Sequence, residues 1–219
     1  MNFLKSLLFC FSISFFMNPI FAQYVSDLDQ TPINIMDVYT ENFTDNTKKW
    51  DLFDDNISEF AMENGMLLFW GKKDDVSSIY APSLVINPSA SSYLFEVKTS
   101  WVSGDDSAGF GLGWDAGEKS SRYQFYMTAC GFYEFEVWEN DSTNFVLTEW
   151  TPSPFINPRG TNILRVQNTG TSIKLAINGH ILESETEGLK EMKYVFLGAD
   201  GVQKVAFDDF RLANYETEK

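Results

Sequence analysis

Ser121 to Glu139 reads SRYQFYMTACGFYEFEVWE. Two runs of alternating apolar and polar residues flank Thr128-Ala129-Cys130-Gly131, and a period of two marks half-buried β-strands. Side chains at i and i+2 share a face. Tyr123, Phe125 and Met127 therefore form one inward set, and Tyr133, Phe135 and Val137 the other. Arg122, Gln124 and Tyr126 point away from the core in the first strand, as do Glu134, Glu136 and Trp138 in the second. The short link makes the two strands a hairpin, hence neighbours in one sheet.

The same period runs on in both directions. EFAMEN, MLLFWGK, SSIYAP, FVLTEW, TNILRVQN, SIKLAING, HILESE, YVFLGAD and QKVAFDDFRL all read as strands. Asn64-Gly65 and Asn178-Gly179 sit between alternating runs, a strong short-range hairpin signal. No sustained helical stripe is present; LKEMK before Tyr194 has room for a single turn. About a dozen short strands with turns every 8–12 residues predict an all-β chain, a two-sheet antiparallel β-sandwich of the jelly-roll kind.

Parity extends the reading to two more strands. In SYLFEVKTSW, Phe95, Val97 and Thr99 face inward and Glu96 and Lys98 outward. In AGFGLGWD, Phe110, Leu112 and Trp114 face inward, with Gly109, Gly111 and Gly113 opposite them. If all four strands adjoin, one face gains a floor of glycines. Around it stand Glu96, Lys98, Arg122, Gln124, Tyr126, Glu134, Glu136 and Trp138. Alternate glycines imply close approach, either by a ligand or by a second layer of the protein itself. A flat aromatic beside planar hydrogen-bonding groups suits a sugar.

The ends and the totals bound the function. Met1 to Ala22 pairs a basic start at Lys5 with an apolar run and a small final residue, the pattern of a signal peptide cleaved before Gln23. A secreted or periplasmic location follows, with no membrane span beyond it. Residues 23–39 read as a linker, 40–213 as one domain and 214–219 as a tail. Sixteen basic residues against 31 acidic ones give a net charge of −15, which repels phosphate backbones and excludes nucleic acid as a partner. Loss of the leader removes Cys10 and leaves Cys130 alone, so no disulfide is expected within the mature chain.

Glu41 to Phe69, ENFTDNTKKWDLFDDNISEFAMENGMLLF, resembles the opening of concanavalin A-like (lectin/glucanase-type) jelly-roll domains of secreted bacterial proteins. GFGLGWD, the hairpin from Ser121, NILRVQNTGTSIKLAING and the closing VAFDDFRL follow in that family's order, so the resemblance spans Glu41 to Leu212. It implies a non-catalytic, lectin-like module that binds a glycan on a concave sheet. It also implies an alternative, a laminarinase-like retaining glycoside hydrolase. There Glu134 would be nucleophile, Glu136 the middle acid and Glu139 the acid/base, which requires a bulge after Glu136 because an odd offset otherwise reverses the face. A structural or protein-interaction domain is the third reading. In the family the first and last strands lie side by side and often hold calcium, which points to Glu41 and Asp208 as oxygen ligands. His180, the single histidine, follows Asn178-Gly179 and reads as a turn residue.

Overall fold

The structure is a computed structural model that describes residues 33–82, 92–115, 121–139, 143–168, 172–185 and 193–216. The expected leader, residues 23–32 of the expected linker and all of LKEMK except Lys193 lie outside them. The chain forms β1 (Ile33–Glu41), β2 (Phe53–Asp54), β3 (Ser58–Glu63), β4 (Met66–Gly71) and β5 (Val76–Tyr80). Next come β6 (Tyr93–Gly104), β7 (Gly109–Asp115), β8 (Arg122–Thr128), β9 (Phe132–Glu139) and β10 (Thr143–Pro152). The last five are β11 (Thr161–Asn168), β12 (Ile173–Ile177), β13 (His180–Glu185), β14 (Tyr194–Asp200) and β15 (Gln203–Glu216).

Two antiparallel sheets result. A nine-stranded sheet runs β13-β12-β11-β6-β15-β4-β3-β2, with β1 also paired to β15; a six-stranded sheet runs β10-β9-β8-β7-β14-β5. The chain is an all-β sandwich, as its alternation predicts. Both Asn-Gly pairs make their hairpins with positive φ at each residue, 53° and 74° at Asn64 and Gly65, 52° and 83° at Asn178 and Gly179. That is the twist-matched turn which joins β3 to β4 and β12 to β13.

The core lies between the sheets. Phe95, Val97, Leu164, Val166, Val205 and Phe207 come from the larger sheet, and Phe110, Leu112, Trp114, Phe125, Phe135 and Leu197 from the smaller; each is fully buried. The Trp114 ring stacks on Tyr123 at 4.8 Å within its own sheet and meets Phe95 of the other sheet edge-on at 5.7 Å. Such aromatic pairs add about 0.5–1.5 kcal/mol to their area burial.

Two expectations change. The strand β1 starts at Ile33, inside the stretch read as linker, and β15 runs to Glu216, past the expected domain end at 213. Alternation is missing from the first part of β1, where Ile35, Met36, Asp37 and Val38 are all exposed and backbone bonds to β15 hold the strand; burial begins at Tyr39, which packs on Phe210. Cys130 is disulfide-bonded in the full-length chain; Cys10, the other cysteine, belongs to the expected leader and lies outside the described residues, so the expectation for the mature chain is unaffected.

Candidate functional site

The hairpin from Ser121 sets the geometry. The β8–β9 register places Arg122 opposite Trp138, Gln124 opposite Glu136 and Tyr126 opposite Glu134. On the other side of β8, Asp115 pairs with Arg122, Gly113 with Gln124 and Gly111 with Tyr126. All six polar or aromatic residues expected to share the outer face of this hairpin do share it. Glu96 and Lys98 do not join them, because β6 belongs to the other sheet. There Arg165 donates to Glu96 Oε2 through Nε at 2.8 Å, and Lys98 donates to Asp208 at 3.2 Å. The chain crosses between sheets after Gly104, and parity within β6 carries no information about that crossing.

The glycine floor is filled by the protein's own rings. Tyr126 reaches across Gly111 of β7 until its hydroxyl lies over Gly198 of β14, where a Cβ would collide with it. Phe196 likewise occupies the space above Gly113. The Arg122 guanidinium stacks on Phe196 at 4.2 Å from the ring centre. At Gly109 a Cβ would meet Asp200 Oδ2 at 3.0 Å, the Trp150 ring at 3.1 Å and the Tyr126 ring at 3.2 Å.

Four buried polar atoms on this face lack a protein partner. Tyr126 is 4% exposed with no partner for its hydroxyl, and Arg122 Nε and Nη2 and Asp200 Oδ1 are buried in the same condition. Trp138 Nε1 donates to Glu136 Oε1 at 2.7 Å, fixing the indole beside the carboxylate. Burial, then the charges of Glu136, Asp200 and Glu149, push the Glu134 carboxyl up to about 8. Burial and Glu136 raise Asp200 to about 7, against the opposing effect of Arg122. Burial raises the Tyr126 phenol as well. At neutral pH the Glu134 carboxyl thus keeps its proton, able both to donate and to accept.

Several members of the site were not legible in the sequence. Tyr80 and Tyr194 meet edge-on at 6.5 Å, are 41% and 39% exposed, and lie beside Phe196 and Asp115. Asp200 and Trp150 stand at the other end. Six residue steps along β14 lead from Tyr194 to Asp200, roughly 20 Å at strand rise. Parity within YVFLGAD puts Tyr194, Phe196, Gly198 and Asp200 on one side, but only the β14–β7 pairing makes that side the outer face of the hairpin.

The hydrolase pattern needs a bulge after Glu136. The β8–β9 register is unbroken from Tyr133 to Trp138, and the irregularities in the β9–β10 pairing, between Val146 and Thr148 and between Thr148 and Thr151, insert the extra residues on β10. Nothing is described of the Glu139 side chain.

At the other candidate site, Glu41 and Phe210 pair across β1 and β15, so first and last strands do adjoin. The buried Glu41 carboxylate accepts from the Phe43 amide at 2.9 Å and from Trp50 Nε1 at 3.2 Å. Asp208 faces the Lys98 ammonium. Among the described residues no three His, Cys, Asp or Glu side chains come together closely enough to hold a metal ion. A cavity of about 470 Å³ opens nearby, lined by Thr40, Asn42, Lys48 and Arg211 among others. Its cations are engaged, Arg211 with Asp37 and Glu96 and Lys48 over the Tyr39 ring, and none of its lining residues carries a buried unpartnered polar atom. The outer face of the six-stranded sheet is the better candidate on that ground.

No protein-family model matches the chain, and no curated protein matches it by sequence. Solved structures do match its fold. The carbohydrate binding module CBM66 from Bacillus subtilis superposes with a TM-score of 0.59 at 15% identity, over 76% of this chain and 96% of that one. An endo-β-1,3-glucanase from Pyrococcus furiosus gives 0.65 at 10% identity, over 86% and 99%. β-Agarase B from Zobellia galactanivorans gives 0.63 at 8%, over 85% and 96%. The chain has the concanavalin A-like jelly-roll fold.

Proposed function

We propose that this protein is an exported, non-catalytic module that binds a glycan on the outer face of its six-stranded sheet. One observation carries the reading: Arg122 Nε and Nη2, Tyr126 Oη and Asp200 Oδ1 are buried on one face with no protein partner. Buried polar groups are ordinarily satisfied, so a face that leaves four open is built to meet hydroxyls from outside. Tyr80, Tyr194 and Trp138 supply aromatic surface beside them, and roughly 20 Å of face suits an oligosaccharide rather than a single sugar. Structures of the same fold include a carbohydrate-binding module and glucan- and agar-cleaving enzymes, which supports a glycan ligand. The signal-like residues 1–22 support export.

The test is retention on a panel of immobilised polysaccharides. Wild-type protein is retained on at least one, and Trp138→Ala or Tyr194→Ala elutes early with an unchanged melting temperature. Failure of the wild-type protein to bind any member of the panel removes the proposal.

Glycoside hydrolysis is the second reading, favoured by the elevated Glu134. A carboxyl protonated near pH 7 fits the proton-donor role, whereas the nucleophile's role needs the ionised form. Release of reducing ends from a β-glucan, abolished by Glu134→Gln, would put this reading first.

A further inference from the structure

The outer face of the six-stranded sheet is strongly acidic at one end. Glu134 and Glu136 stand on β9, Glu149 on β10, Asp200 on β14, and Asp74 in the connection before β5. Arg122 on β8 is the cation that acts on Asp200, and every charge acting on Glu134 is negative. None of the described residues donates a hydrogen bond to Glu134. Beside this group lie the unpartnered Tyr126 hydroxyl, 96% buried by its 4% exposure, and the unpartnered Asp200 Oδ1. The Trp150 ring packs at Gly109 next to both.

Burying Glu134 and Asp200 close to other carboxyls is costly, and the folded chain answers by holding protons on them. A metal ion is the usual alternative. Here the acids crowd one another without any three of them, among the described residues, converging on a common point. A ligand with one compact cation on an extended body fits this spacing better, because it can meet one carboxyl with its charge and others with neighbouring hydroxyls. Sulfated or uronate glycans face the opposite balance and are repelled.

We infer that this end of the face takes a glycan carrying a free amine, a deacetylated hexosamine, whose ammonium group lies among Glu134, Glu136 and Asp200 with the sugar ring against Trp150. The inference rests on the glycan-binding reading and narrows it to one substrate class. Tyr126 Oη and Arg122 then bond hydroxyls of the adjoining unit. Binding expels protons, since an ammonium beside Glu134 and Asp200 lowers both from their raised values.

Isothermal titration of the full chain at pH 7 tests this with three oligomers of equal length: a glucosamine tetramer, its fully N-acetylated form and a neutral β-glucan tetramer. The amine form is expected to bind at least tenfold more tightly than the acetylated one. Titration in two buffers of different ionisation enthalpy is expected to reveal proton release. Glu134→Gln combined with Asp200→Asn is expected to erase the preference. Glu63→Gln on the opposite sheet is expected to keep it, which separates a site from general attraction to a chain of net charge −15. A preference that survives the double variant overturns the inference. An acetylated or neutral oligomer that binds as tightly as the amine form also overturns it and leaves glycan binding intact. If no oligomer binds at millimolar concentration, the inference falls, while the glycan reading stands or falls with the polysaccharide panel.

Discussion

The hydroxyl of Tyr126, on β8, lies over Gly198, on β14, in the space that a Cβ at that position would fill. Gly111 of β7 stands between them in register and lets the ring lie flat. Gly109 and Gly113 of GFGLGWD face rings of the same chain, and the rings in turn form the floor on which any ligand rests. Gly198→Ala should cost about 1–3 kcal/mol, as overpacking does at a rigid contact. Tyr126→Phe removes the colliding oxygen, so the double variant should recover at least half of that loss. Chemical denaturation of the four proteins as a double-mutant cycle measures the coupling; additive costs would mean that Tyr126 does not occupy this position.

Stability should fall with rising pH. The folded chain holds a proton on Glu134 up to about pH 8, while the unfolded chain releases it near 4.5, so folding loses ground across that window. Asp200, raised from 3.8 to about 7, acts in the same direction over its own window. Glu134→Gln mimics the protonated form and should flatten the profile. Allowing for solvent screening of a partly exposed group, the variant should gain about 1 kcal/mol at pH 8 and nothing at pH 4. Thermal melts across pH 4–9 read this directly; a wild-type melting temperature that rises toward pH 8 would contradict it.

Glu41 ties the start of the domain together by accepting from the Phe43 amide and the Trp50 indole. Replacing it with alanine leaves two buried donors unpaired, a loss of about 2–4 kcal/mol. Because this carboxylate serves N–H donors and Asp208 faces Lys98, calcium or a chelator should leave the melting temperature unchanged. A calcium-dependent rise would restore the pair as metal ligands.

Glu96 and Lys98 provide the control for the binding face. Glu96 joins Arg165 and Arg211, and Lys98 joins Asp208 and Asp209, on the outer face of the nine-stranded sheet. Glu96→Gln should cost about 1 kcal/mol of stability, and Lys98→Ala less, with glycan retention unaltered in both. Loss of retention in either would place the ligand on the wrong sheet for the proposal.

The period of two in SRYQFYMTACGFYEFEVWE was enough to decide strand, hairpin and facing: Tyr123, Phe125 and Phe135 went inward, and Arg122, Gln124, Tyr126, Glu134, Glu136 and Trp138 outward together. The Asn-Gly pairs did the same for two further hairpins. These are local matters, governed by side-chain alternation and by which residues tolerate positive φ. Strand order is not local. Parity inside β6 cannot say that it leaves for the other sheet with Glu96 and Lys98, nor that β14 returns from residue 194 to lie beside β7. That return brings Gly198 under the Tyr126 hydroxyl and Asp200 toward Glu136. The acidic end of the face, and the raised carboxyls within it, exist only once strands far apart in sequence are packed side by side, because burial and charge proximity depend on distance in space.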